Sequence, residues 1–194
     1  MSNAASTLFK PQVGQSLTWQ SLAWQALAIA GGVCVLTASS YVQVPMQPVP
    51  ITLQTLAVTV VGAGLGWRLG VVTVMAWLAA AAAGLPVLAG VTHLAAFAGP
   101  TAGYLFAFPV AAALCGWLAE RGWNGQALGL AFASMLLGNL VCLAGGAAWL
   151  SLSLGVAKAL TAGVLPFLVG GLLKSAMGAV LMKGIAIARR PRGA

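Results

Sequence analysis

Residues 165–179, LPFLVGGLLKSAMGA, read as part of a membrane helix, yet they carry a lysine, Lys174, well inside the apolar run. A cation at the centre of a spanning helix costs about 2.5 to 3.5 kcal/mol on insertion scales, so such a residue snorkels to the interface, pairs with an acid or serves a site. Pairing is restricted here, because Glu120 is the only acidic residue in the chain. If folding sets Glu120 at the opposite membrane face, the protein supplies no counterion for Lys174. An anionic ligand then becomes the natural partner.

The rest of the composition agrees with a membrane environment. The chain is 61% hydrophobic and 5% charged with a mean hydropathy of +1.00, whereas about a quarter of a soluble domain is charged. A spanning helix takes about 20 residues, so 194 residues hold about five to seven spans in one bundle. The net charge of +8 would suggest nucleic acid in a soluble chain. Here the basic residues are scattered singly except at Arg189, Arg190 and Arg192, and the positive-inside rule accounts for them, so no nucleic-acid partner is expected. Cys34, Cys115 and Cys142 lie in apolar runs without CxxC spacing and read as small core residues. One Glu, one His and no Asp leave no acid–base pair, activated nucleophile or metal-ligand set, so the chain is not expected to be an enzyme or to hold a metal.

Residues 1–18 are polar, with a Ser2-Asn3-Ala4 start that has the look of a cloning remnant, and are set aside from the fold. The apolar run 21–41 is as long as a full span and longer than a signal-peptide core, so it is read as the first helix. It carries Ala26-x-x-x-Ala30 and the staggered Ala28-x-x-x-Gly32, small residues that let another helix approach. Ala26 and Ala30 serve either packing inside the bundle or docking of a separate subunit. Residues 44–52, VPMQPVPIT, hold three prolines and predict an extended loop lying on the body of the protein.

Further helices are predicted over 53–66, short for a span, and 69–84, with Trp67 and Arg68 marking the turn between them. Residues 85–100 are apolar but broken by Pro86, Gly90, Gly99 and Pro100. Irregular backbone at such depth is tolerated only when buried in protein or lining a cavity. Helices follow over 104–119 and 126–149, and a connection containing Lys158 leads through Pro166 into a last helix ending near Arg189.

These elements make an all-α membrane protein, a single bundle of six transmembrane helices spanning 19–190 with a short tail at 191–194. With both termini cytoplasmic, Lys10, Arg68, Arg121, Lys183 and the three C-terminal arginines fall on the inner side and only Lys158 outside. Trp19, Trp24, Trp67, Trp117 and Trp123 then form an inner aromatic belt. Glu120 is inner, Lys174 lies in the outer part of the last helix, and the irregular segments 44–52, 85–100 and 158–171 gather on the outer face. That clustering argues for a ligand site there and against a purely structural subunit. A channel would need a continuous polar path, which the inner half lacks.

Five runs carry a family resemblance: PVPITLQTLAV (48–58), GLPVLAG (84–90), GPTAGYLFAFP (99–109), Gly138-Asn139 and LPFLVGGLLK (165–174). In this order they resemble the biotin-specific substrate-binding subunits, the BioY family, of energy-coupling-factor transporters. The resemblance implies six helices, an outer biotin pocket capped by the loop after the first helix, and partners: a transmembrane coupling subunit and an ATPase pair. ATP would be used by those ATPases, with no cofactor bound by this chain; some family members are encoded alone, and a solitary biotin transporter is an alternative. Two positions depart from the family pattern. Ala102 stands where a glycine is usual, and Gly171 replaces an aspartate associated with ligand binding.

Candidate substrate-binding residues are therefore Lys174, Asn139, Tyr104, His93, Gln54 and Thr92, with Thr101 a weaker member. Asn139 can accept and donate, and so could stand in for the missing acid, or simply bond helix to helix. His93 falls beside the expected pocket but also suits a hydrogen-bonded interior position, and Tyr104 and Gln54 equally suit packing and capping. A subunit for another vitamin, thiamine or riboflavin, is the neighbouring alternative.

Overall fold

The computed structural model describes residues 19–89 and 93–188, without the side chains of Trp19 and His93. Lys10, Thr92 and the C-terminal arginines lie outside the described residues. The elements are α1 (Trp19–Tyr41), β1 (Gln43–Val44), β2 (Ile51–Thr52), α2 (Gln54–Leu65), α3 (Trp67–Ala82), a short 3-10 helix (His93–Phe97), α4 (Ala102–Glu120), α5 (Leu128–Leu154), α6 (Val156–Gly163) and α7 (Leu165–Ala188). Four helices, α1, α4, α5 and α7, are long and apolar enough to cross a membrane, while α2 and α3 have 12 and 16 residues.

All six expected helices are present, and the connection around Lys158 is a seventh. Gly155, at φ 78°, stops α5 in a conformation that costs other residues a steric penalty, and α6 starts immediately after it. Eight residues rise only about 12 Å, so α6 cannot span. It lies across the end of the bundle, with Ala159 and Gly163 buried and Lys158 exposed.

The turn between α2 and α3 is also tighter than its sequence suggests. Gly66 alone makes it, at φ 82°, and Trp67 and Arg68 belong to the first turn of α3. The turn is backed by α4, where Gly116 leaves space for the Trp67 backbone that any side chain would occupy. Glu120 then accepts the Trp67 N–H at 3.1 Å, satisfying one of the orphan donors at the start of α3. The chain's single acid is thus used as a helix cap.

α4 occupies the centre, packed on α5, α2 and α3; α7 packs on α5 and α2, and α1 lies at the edge against α3 and α2. Small residues set these distances. A side chain at Gly62 would strike the Ala112 backbone, and one at Gly138 would strike Thr59 and Cys115. On α1 the small residues divide into two rows. Gly32, Leu36 and Ser40 face inward, with Gly32 against Thr73, whereas Ala26, Ala30 and Cys34 are exposed. Ala26 and Ala30 therefore take no part in packing inside the bundle, and Cys34, unlike Cys115 and Cys142, is not a core residue.

The described part of the irregular 83–101 segment stays folded because side chains bond its carbonyls. Pro86 O accepts from the Tyr41 hydroxyl at 2.7 Å, Val87 O from Ser40 Oγ at 3.0 Å and Trp77 Nε1 at 3.2 Å, and Gly99 O from Trp149 Nε1 at 3.0 Å. Backbone without a helical ladder is tolerable in an apolar setting only with such partners. The proline-rich stretch is a small hairpin, with Gln43 opposite Thr52 and Val44 opposite Ile51. Hairpin, irregular segment and α6 all sit at one end of the bundle; the α2–α3 turn and the α4–α5 turn sit at the other.

Candidate ligand-binding site

The first turn of the short α2 lines a cavity. The hairpin residues Val49 and Pro50 roof it, Tyr104, Leu105, Phe108, Leu143 and Phe167 give apolar walls, and Gln54, Thr55, Asn139 and Lys174 add polar groups. The space among these atoms, mouth included, is about 550 Å³. Four of the six predicted substrate-binding residues, Lys174, Asn139, Tyr104 and Gln54, line it together with Thr101. They come from α7, α5, α4 and α2, so no local pattern in the sequence joins them.

Lys174 lies about 14 Å along α7 and is only 8% exposed. It points into the bundle and does not snorkel. Its ammonium donates one long hydrogen bond, 3.4 Å, to Thr55 Oγ1. Glu120 sits at the far end of α4, about 24 Å of helix beyond Tyr104. The cavity therefore holds a cation and no acid among the described residues. The first turn of α2 adds to its positive character, since N–H groups there lack intrahelical partners and the helix dipole favours negative charge.

Asn139 is 3% exposed and bonds helix to helix: its Nδ2 donates to Met135 O at 3.0 Å and to Ser175 Oγ at 3.1 Å, and Ser175 donates to Gly171 O at 2.7 Å. With both amide hydrogens committed, its Oδ1 is the atom left to accept a bond. Tyr104 is fixed at both ends. Its ring presses on Gly146 of α5, and its hydroxyl donates to Gly163 O of α6. The ring thus offers a wall, 6.0 Å from that of Phe167. Gln54 also has a local duty, because Thr52 Oγ1 donates to Gln54 Oε1 at 3.0 Å and accepts the Gln54 N–H at 3.3 Å. Its Nε2 carries no bond among the described residues.

Gly171 lies one turn before Lys174 on the cavity wall, and a Cβ placed on it meets nothing within 4 Å. The space an aspartate would use is open. Thr52, Gln54 and Thr101 also line a second chamber, bordered by Ser40, Gln43, Leu88 and Ala96. His93 begins the short helix beside this chamber, but its side chain and the whole of Thr92 fall outside the described residues. Thr55, Phe108 and Phe167 are lining residues that sequence reasoning missed. Thr55 and Phe167 lie inside the runs PVPITLQTLAV and LPFLVGGLLK, yet their types read as ordinary helix packing.

Fold and cavity together make a multi-pass helical membrane protein with a ligand-sized cavity near one end of its bundle. A crystal structure described as the S-component for biotin from an ECF-type ABC transporter superposes with a TM-score of 0.79 at 26% identity, covering 89% of this chain and 95% of that one. The BioY family model matches residues 9–190, and the chain belongs to the BioY family. Relatives include the probable biotin transporter BioY of Pyrococcus horikoshii, 34% identical over 77% of this chain and 88% of its own. The biotin transporter BioY of Rhizobium etli is 38% identical over 72% and 79%.

Proposed function

We propose that this chain is a biotin-binding subunit of an energy-coupling-factor transporter, which captures biotin from the outer membrane face for uptake. The observation that carries the reading is the cavity itself: apolar walls and a few polar groups, with an unpaired cation and no acid. Biotin is an apolar bicycle with a polar ureido edge and a carboxylate tail, so it suits a site of this kind. Lys174 and the α2 N-terminus favour an anionic group, while Asn139 Oδ1 and Gln54 Nε2 offer one acceptor and one donor. Membership of the BioY family and the likeness to a biotin S-component support the same ligand.

In this reading six helices, α1 to α5 and α7, span a single domain over 19–190, α6 lies on the outer surface, and both termini are cytoplasmic. The 43–52 hairpin closes over bound biotin. The exposed row with Ala26 and Ala30 meets a transmembrane coupling subunit, and its paired ATPases consume the ATP, so this chain binds no cofactor and catalyses nothing. The test is equilibrium binding of the purified full chain to a panel of biotin, thiamine and riboflavin. Biotin should bind alone; tighter binding of another vitamin would overturn the assignment.

A further inference from the structure

At the end of the bundle away from the ligand cavity, α3 and α4 leave an open groove lined by Trp67, Val110, Ala113, Leu114 and Trp117. It is almost wholly apolar and runs about 10 Å along α4 from Trp117 to Val110, toward the middle of the helix. Its rim is different. The Arg68 guanidinium sits 5.3 Å from the centre of the Trp67 ring, and that of Arg121 sits 3.7 Å from the Trp117 ring. Each cation thus lies against the ring of a tryptophan that lines the groove.

Neither arginine has an acidic partner. Arg121 donates to Trp117 O at 3.2 Å, and among the described residues Arg68 has only its tryptophan. Glu120 is close in sequence, but one of its oxygens caps the Trp67 N–H and the pair of arginines still leaves the rim net positive. An apolar slot entering the bilayer below two interfacial cations matches a molecule with an acyl chain and an anionic head. Tryptophan and arginine at this level also suit the headgroup boundary.

We propose that the α3–α4 groove is a binding site for one anionic diacyl phospholipid, its acyl chain along Val110–Leu114 and its phosphate between Arg68 and Arg121. The lipid would seal the α3–α4 seam, where α3, at 16 residues, is shorter than a usual span of about 20.

Native mass spectrometry of the full chain, released from detergent containing equal phosphatidylglycerol and phosphatidylcholine, tests the site. Wild type should retain phosphatidylglycerol in preference to phosphatidylcholine. A basic residue near a membrane surface contributes about fivefold to binding of acidic lipid, so the Arg68→Gln/Arg121→Gln variant should lose about 25-fold in that preference. Arg68→Lys/Arg121→Lys, which keeps the charges, should retain most of it and also controls for folding. Val110→Trp, which fills the slot, should lower retention of both lipids. Equal retention of the two lipids by wild type, or unchanged preference in the glutamine variant, would overturn the proposal. So would displacement of the lipid by free glycerol phosphate, which would make this a site for soluble phosphate.

Discussion

Replacing Lys174 with methionine should move ligand affinity and ligand-free stability in opposite directions. Lys174 is 8% exposed, and its ammonium makes one hydrogen bond among the described residues, 3.4 Å to Thr55 Oγ1, so the buried charge is poorly compensated by the protein itself. A charge at helix centre costs about 2.5 to 3.5 kcal/mol on insertion scales. Methionine has similar length and no charge, and should raise the thermal midpoint of the ligand-free protein by at least ~2 °C. On the proposed site bound biotin supplies the partner that the protein lacks, and a hydrogen bond to a charged group contributes about 1.5 to 3 kcal/mol. Lys174→Met should therefore weaken biotin about 10- to 150-fold. Calorimetric titration with biotin and with its uncharged amide separates the two ends of the ligand. If Lys174 meets the carboxylate, the substitution hurts biotin far more than the amide; equal losses place it on the ureido oxygen. Wild-type affinity in the methionine variant, or a lower ligand-free midpoint, would refute the reasoning.

Three further outcomes are expected. Gly171→Asp fits open space one helical turn from Lys174 and gives the lysine a protein counterion, so the variant should fold with an unchanged or higher midpoint in a thermal-shift assay. In a Cys34→Ser background, where the two remaining cysteines are buried, Gln126→Cys should label with a membrane-impermeant maleimide only from the inside and Lys158→Cys only from outside; the reverse pattern would invert the proposed orientation. Ala26→Trp with Ala30→Trp alters an exposed row, so biotin binding should persist while partner-dependent uptake in cells falls to background. Loss of binding as well would mean that the row serves the bundle.

The amino-acid sequence was enough to read the membrane class, the positions of six helices to within a few residues at most ends, and the paradox of Lys174 without an acid. Those are matters of local composition: twenty apolar residues, a proline cluster or a lone cation can each be read along the chain. It also placed the proline-rich stretch, residues 85–100 and the Lys158 connection at one end, because short turns between spans leave only two faces to alternate between. Tertiary structure decided what a linear pattern cannot carry. α6 and the one-residue turn at Gly66 depend on positive φ and on the packing of neighbouring helices. Asn139 reaches Ser175, and Tyr104 reaches Gly163, only because glycines let α4, α5, α6 and α7 close up. Which alanine row of α1 faces outward, and that Lys174 turns inward beside Thr55, are choices of helix rotation. Every residue of an apolar helix suits lipid and protein interior alike, so only contacts with the other helices fix that rotation.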